Sequence, residues 1–503
     1  MLKSISMENY KCFKDKTDIE IAPLTVLCGA NSSGKSSILK SLLMLKQSYE
    51  NESTSHTMLF SGDYVDNGSF DDVVYHKDKS DIKKDSVFTI STKYLIRDTS
   101  DDNGKNRVKR QDIMSFKELK RVFEQTQGIK NVKTFVLKTD IEVERPKAGA
   151  NTFDFFIESN IIKKYNVTIL LLDKVNKIID DCERYIKITK IIGSEKDRDQ
   201  WEIRFIGIPP CQADDKETVG VCTCYVSGLQ IKNLYIDNLK KGIFKRLPNI
   251  LSIFKIAAFQ TDGCKFIAPL REQPMRRYNI NGDVQSVGIA GEKTPIVLAK
   301  AYNDVKTGCI PPTNDNNGNV CWRTDTDLYY KLVSKWMKYL DLGEIGLESN
   351  NGLIELNVNG HNIMDVGFGV SQALPIIVEG LYMLQDESLL LEQPEIHLHP
   401  EMQLKMADFL IALAKSEKNI IVETHSDHFI NRIIHRVMQN YEELNDIVHI
   451  YIVDKNDTEQ VRLKEINKYK GTKNDKNKYF FTQYDSEIND IVDVGLSNMM
   501  ENL

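Results

Sequence analysis

LTVLCGANSSGKSSILKSLLMLKQ spans Leu24 to Gln47. It opens on apolar, strand-like residues. Gly29 to Ser36 then matches the pattern GxxxxGK(S/T) at every fixed position. Beyond it, Ile38, Leu39, Leu42, Leu43 and Leu45 recur at helical spacing. A strand, a glycine loop and an amphipathic helix in that order make a phosphate-binding loop. Gly29 and Gly34 let the backbone wrap an anion where side chains would collide. Loop N–H groups and the helix N-terminus then face that anion. The expected nucleotide-binding set is Gly29, Asn31, Ser32, Ser33, Gly34, Lys35, Ser36 and Ser37. Lys35 is suited to neutralise the β- and γ-phosphates of ATP, and the Ser36 hydroxyl to ligate Mg²⁺.

A P-loop ATPase also needs an acidic group at the end of a neighbouring apolar strand. SLLLEQPE supplies one: Ser388–Leu391 lead to Glu392, and Pro394 breaks the strand. Glu392 is therefore the expected second Mg²⁺ residue beside Ser36. A further apolar strand, in NIIVETHSDHF (Asn419–Phe429), ends in polar groups that include His425, the candidate γ-phosphate sensor. Strands that deliver polar tips to one edge describe the ligand-binding edge of an α/β sheet. His397 and His399 stand on a turn after a strand and are expected to shape that turn rather than to bind zinc.

Working outward, residues 1–95 read as strands plus the P-loop helix. Residues 96–255 change character and become rich in Lys, Ile, Asp and Asn, which suggests an inserted, mixed α+β region. From 256 to 460 strands alternate with helices, and fully apolar strands imply a buried, largely parallel sheet. Residues 461–503 are lysine-rich, then acidic, and suggest a small C-terminal module.

Composition sets the outer bounds. The chain has 503 residues, 41% hydrophobic and 27% charged, which is ordinary for a globular protein. A net charge of -6 argues against attachment to nucleic acid by bulk charge. The basic stretches 105–110 and 468–478 read as solvated loops. Cys211, Cys222 and Cys224 lack the paired CxxC spacing of a zinc site. Scattered free thiols, no apolar leader and no membrane-length apolar run point to a cytoplasmic protein without a membrane partner.

GANSSGKS, DVGFGVSQALPII (Asp365–Ile377), LLLEQPEIHLHP and VETHSDHFINRI occur in the order found in ABC-type ATPases. Together with ENYKCF, FSGDYVDNGSFDDVV (Phe60–Val74) and FIAPLR, they resemble the RecF/SMC-like branch of stand-alone bacterial AAA family ATPases. Among these, the AriA-type ATPases of the PARIS anti-phage defence system are similar. The resemblance covers about 1–95 and 256–460. It implies an α/β fold whose ABC-type P-loop ATPase head is a mixed sheet with flanking helices. It also implies a homodimer closed head to tail as an ATP sandwich, and a higher homo-oligomer beyond it. GFGVSQ would be the signature-like segment, with Gly369, Ser371 and Gln372 facing the opposing γ-phosphate in trans. Ser371 also suits the N-cap of the following helix, with Pro375 in its first turn.

In that family the Walker B strand ends in two acidic residues. Here the second is Gln393, which cannot accept a proton but can orient water. Glu395, two residues on, is the alternative carboxylate. Slow hydrolysis is expected, with Gln393, Glu395 and His425 as the catalytic candidates. The resemblance further implies a separate effector, a Toprim-type nuclease, and a phage trigger protein. Residues 461–503 leave no room for a nuclease of the chain's own. A RecF-like DNA-repair clamp is the alternative, but no sustained heptad register supports long arms.

Overall fold

The computed structural model describes residues 1–50, 58–76, 86–97, 117, 119–121, 133–144, 161–172, 185–190, 200–206, 217–227, 230–237, 263–280, 284–316, 318–350, 352–455 and 461–465. In chain order the N-terminal strands are β1 (Leu2–Glu8), β2 (Thr17–Glu20), β3 (Leu24–Cys28), β4 (Val87–Arg97), β5 (Thr134–Glu144) and β6 (Ile161–Leu172). Then come β7 (Tyr185–Lys190), β8 (Gln200–Ile206), β9 (Glu217–Ser227) and β10 (Gln230–Asp237). The second half holds β11 (Cys264–Ile267), β12 (Tyr278–Asn279), β13 (Val305–Asn314), β14 (Val320–Leu328), β15 (Ile345–Asn350), β16 (Leu353–Val358) and β17 (His361–Asn362). It closes with β18 (Ser388–Glu392), β19 (Asn419–Glu423), β20 (Val448–Lys455) and β21 (Val461–Glu465).

The site is built on a six-stranded sheet of order β11-β18-β19-β3-β20-β21. All pairings are parallel except that of the edge strand β21. SLLL, NIIVE and LTVLC are buried throughout, as both-face coverage of a parallel sheet requires. Helices Tyr329–Tyr339, Phe368–Tyr382, Pro400–Lys415 and Asp427–Gln439 contribute to one core with this sheet, around Trp336, Phe409 and Phe429. The P-loop helix Lys35–Glu50 joins the other core, against the faces of β1, β4, β5 and β6 that carry Ile5, Ile90, Leu137 and Ile169.

The second large sheet has nine strands in the order β10-β9-β8-β7-β6-β5-β4-β1-β2. Every pairing in it is antiparallel. The described strands of the 96–255 region, β5 to β10, thus continue the N-terminal sheet: β5 is in register with β4 from Val87↔Glu144 to Arg97↔Thr134. Residues 105–110, Cys211 and 466–503 lie outside the described residues, as do the side chains of Cys222 and Cys224. Among the described residues no helix is long and apolar enough to cross a membrane.

The expected start of the signature-like helix is corrected. The helix begins at Phe368 with Gly367 as N-cap, and Pro375 lies well inside it. Ser371 sits within its first turn, where the hydroxyl donates to Phe368 O at 2.7 Å. A serine that bonds back to the preceding turn is not free to cap the next one. His397 and His399 do shape their turn: His397 has φ 60, and the His399 side chain accepts from Glu401 N at the start of Pro400–Lys415.

Candidate nucleotide-binding site

β3 runs into the P-loop at the carboxyl edge of the parallel sheet. Gly29 has φ 126, and a Cβ there would lie 2.2 Å from Val453 O of β20, so only glycine fits. Ser32 and Gly34 are also left-handed, at φ 58 and φ 112, which curls the loop into a nest of N–H groups. Lys35 is buried, and its ammonium donates to Gly29 O at 3.0 Å and Ala30 O at 2.6 Å. Burial holds its pKa below the usual lysine value, against the pull of Glu423.

Two carboxylates stand opposite. Glu392 and Glu423 are Cα partners at the ends of β18 and β19, and Glu423 is in turn aligned with Leu27 of β3. The Ser36 hydroxyl donates to Glu423 Oε1 at 2.9 Å. Glu423 Oε2 is buried and has no hydrogen-bond partner. Burial, reinforced by the charge of Glu423, pushes the Glu392 carboxyl up to about 7. Glu423 is raised by burial too, although Ser36 and Lys35 pull it back. Sequence reasoning missed Glu423. The only signal was a carboxylate at the end of an apolar run, two residues before His425.

Gln393 follows Glu392 in a left-handed conformation, φ 46, with its N–H on Glu423 O at 2.7 Å. Its side chain lines a cavity of about 690 Å³ together with Asn31, Ser33, Lys35, Ser36, Glu423 and His425. The far wall carries Lys11, Cys12, Tyr75 and His76, from the β1–β2 turn and the segment before β4. Glu395 is not on this wall. It is buried, and its Oε1 accepts from His425 N at 2.8 Å, so it braces the loop that holds the histidine. Burial, helped by Lys35, keeps the His425 pKa below the usual imidazole value. The ring is therefore neutral at pH 7 and can offer one N–H to an anion.

Arg271, from FIAPLR, lies behind the turn. It donates to Glu392 O at 3.3 Å, Gln393 O at 3.2 Å and Pro269 O at 3.1 Å. It is buried, and desolvation brings its pKa down to about 10 against the pull of Glu395 and Glu392. Gly369 is half-buried, while Ser371 and Gln372 are buried within their own chain.

The donor set suits a nucleotide with a hard cation. The loop supplies N–H groups and a lysine for phosphate. The Ser36 hydroxyl and the orphaned Glu423 Oε2 would offer hard oxygens to Mg²⁺, while Glu392, the cross-strand neighbour of Glu423, does not itself line the cavity. Among the described residues no group of three or more His, Cys, Asp or Glu could hold a metal alone, so phosphate oxygens would complete any coordination.

A family model described as an AAA ATPase domain matches residues 1–243 and 300–430. The chain belongs to the AAA ATPase domain family. Membership agrees with a P-loop set at the edge of a parallel sheet. Solved structures similar to the chain include an SMC head bound to the C-winged helix domain of ScpA, at 12% identity and TM-score 0.38, covering 92% of this chain and 97% of that one. The SMC head domain from Thermotoga maritima is 9% identical with a TM-score of 0.33, covering 92% and 98%. No curated protein matches the chain.

Proposed function

We propose that this AAA-family protein binds ATP with Mg²⁺ and hydrolyses it slowly, as an ABC-type conformational switch. The observation that carries the proposal is the single cavity in which Lys35, Ser36, Gln393, Glu423 and His425 converge. Asn31, Ser32, Ser33 and Gly34 would wrap the phosphates, with Ser37 in the first helical turn. Ser36, Glu392 and Glu423 would hold Mg²⁺, which when bound neutralises phosphate charge. His425 would donate to the γ-phosphate and Gln393 would orient the attacking water. A carboxamide cannot take that water's proton, so general-base catalysis, about 10²–10⁴-fold elsewhere, is forgone. Gln393→Glu is expected to raise turnover at least tenfold, and Gln393→Ala to lower it, in a phosphate-release assay. An alanine variant as fast as wild type would remove Gln393 from the mechanism.

Slow turnover suits a clamp that stays closed on ATP. The resemblance to defence ATPases supports a homodimeric or larger scaffold that holds a separate effector, a Toprim-type nuclease, and responds to a phage trigger. Gly369, Ser371 and Gln372 would act across the dimer. The test is affinity capture of the protein expressed with its native neighbouring genes, followed by intact-complex mass in ATP. A stoichiometric nuclease partner, lost in Lys35→Ala, is expected. A bare dimer retaining DNA would replace the scaffold with a DNA clamp.

A further inference from the structure

The Walker B turn and the signature-like helix of one subunit are tied together by a short strap, residues 286–291. At one end, the loop after β11 carries Arg271, whose guanidinium grips Glu392 O and Gln393 O. That loop pairs with the strap through Ala268 N to Ile289 O and Glu272 N to Ala290 O, both 2.8 Å. At the other end, Glu379 in the middle of helix Phe368–Tyr382 is wholly buried. Its Oε2 accepts from Val287 N at 2.6 Å and Ser286 Oγ at 3.0 Å. Gly291, at φ 74, lies so close to Pro375 that an added Cβ would sit 2.6 Å from the ring's Cγ.

A buried carboxylate costs free energy unless hydrogen bonds offset it. In an otherwise apolar helix stretch, PIIVEGL, the side-chain hydrogen bonds that Glu379 makes both go to the strap, with Lys265 and Lys418 acting on it only through charge. Among the described residues, none of the strap's hydrogen bonds goes to the phosphate loop, and residues 286–291 do not line the nucleotide cavity. Its bonds run to the loop after β11, to Glu379 and to Lys293 and Thr294 at the start of the next helix. Ser371 and Gln372 are buried in the subunit as it stands, so presenting them to a partner requires that their helix shift. Whatever sets the pose of that helix controls the neighbouring active site, not the subunit's own.

We propose that Arg271, Gly291 and Glu379 are positioning residues: through the 286–291 strap they set the pose of the signature-like helix from the state of the Walker B turn in the same subunit. This rests on the ATP-sandwich proposal above. It makes a directional claim, since a strap defect damages the partner's site while leaving the subunit's own P-loop intact.

Mixing variants tests it in the full-length protein. Gly291→Ala alone is expected to bind a fluorescent ATP analogue within twofold of wild type but to lose at least tenfold in turnover. Lys35→Ala alone binds no nucleotide and turns over none. In a mixture of the two, the Gly291→Ala P-loop meets the intact helix of the Lys35→Ala subunit, so activity reappears, to about a quarter of wild type. Glu379→Gln, which keeps the shape but weakens the grip, should behave like Gly291→Ala and covers the case in which the latter does not fold. Wild-type turnover in both strap variants, or variants inactive alone and unrescued by mixing, would overturn the strap. If wild-type protein itself neither binds the analogue nor turns ATP over, the ATPase proposal fails instead.

Discussion

Asp408→Ala should destabilise the protein by about 3–5 kcal/mol, the range for breaking a buried ion pair by deleting one partner. Asp408 sits on helix Pro400–Lys415 and is wholly buried. Its carboxylate accepts from Arg436 at 2.8 and 3.0 Å, from Arg432 at 2.7 Å and from Tyr339 at 2.6 Å. Three helices are pinned at one point. Burial alone would raise the Asp408 pKa, but the two guanidiniums and the phenol outweigh it and hold the group below the usual carboxylate range. Removing the acid strands Arg436, itself buried, beside Arg432 with no counter-charge at that point. At about 2.1 cal/mol/K of unfolding entropy per residue, the drop in Tm is a few degrees if the chain of 503 residues unfolds as one unit. The sign with pH is fixed too. A depressed folded pKa contributes stability that is present above the unfolded value and lost as pH falls through the folded one, so acid unfolding should begin earlier in Arg432→Ala. Lys335→Ala is the contrast: its ion pairs with Asp325 and Asp327 lie at the partly exposed surface, where solvent screens them, and a much smaller loss is expected. Equal losses in the two variants would show that Asp408 does not pin the helices. Because helix Asp427–Gln439 starts just after His425, activity in the Asp408 variant should fall before the fold does.

Much of the fold could be read from spacing alone. The P-loop was legible because its glycines, lysine and serine are contiguous and flanked by a strand and a helix. SLLLE and NIIVE were legible as buried parallel strands because their apolar runs are short and end in polar residues. What stayed hidden depended on pairing. Glu423 reaches Ser36 only because β19 lies between β18 and β3, an order that no local pattern encodes. Arg271 was one arginine in a quoted motif, and its role needs the register of β11 against β18, Ile267 to Leu391. The pairing of β5 with β4 was not legible either, because the two strands are separated by dozens of residues and register is not a local pattern. Ser371 was misread because serine before a proline looks like a cap, whereas a helix can start earlier on Gly367 and carry the proline inside.

Glu423→Gln should weaken divalent-metal binding at least tenfold in the presence of a non-hydrolysable ATP analogue, and it should do so more than Glu392→Gln. The reason is lateral distance. β19 is the immediate neighbour of β3, whereas β18 is one strand further, an extra ~4.8 Å along the sheet. The Ser36 hydroxyl, the oxygen proposed to bind the metal, already donates to Glu423. The partnerless Oε2 is the atom a cation would use. Mn²⁺ titration followed by electron paramagnetic resonance reads this without relying on turnover, and thermal shift with Mg²⁺ and the analogue reads it again through mass action. The same variant carries a second, opposite-looking signature. With its carboxyl pushed up to about 7, Glu392 must lose a proton when metal binds, so wild-type metal affinity should climb between pH 6 and pH 8. Without metal the sign reverses: a carboxyl whose folded pKa is raised loses stability as pH rises from the ordinary 4.5 towards about 7. Part of that rise comes from the charge of Glu423. Neutralising Glu423 should therefore lower the Glu392 midpoint and flatten the pH dependence while affinity falls. A Glu423→Gln protein with wild-type Mn²⁺ affinity and an unchanged pH profile would return the metal to Ser36 and Glu392 alone.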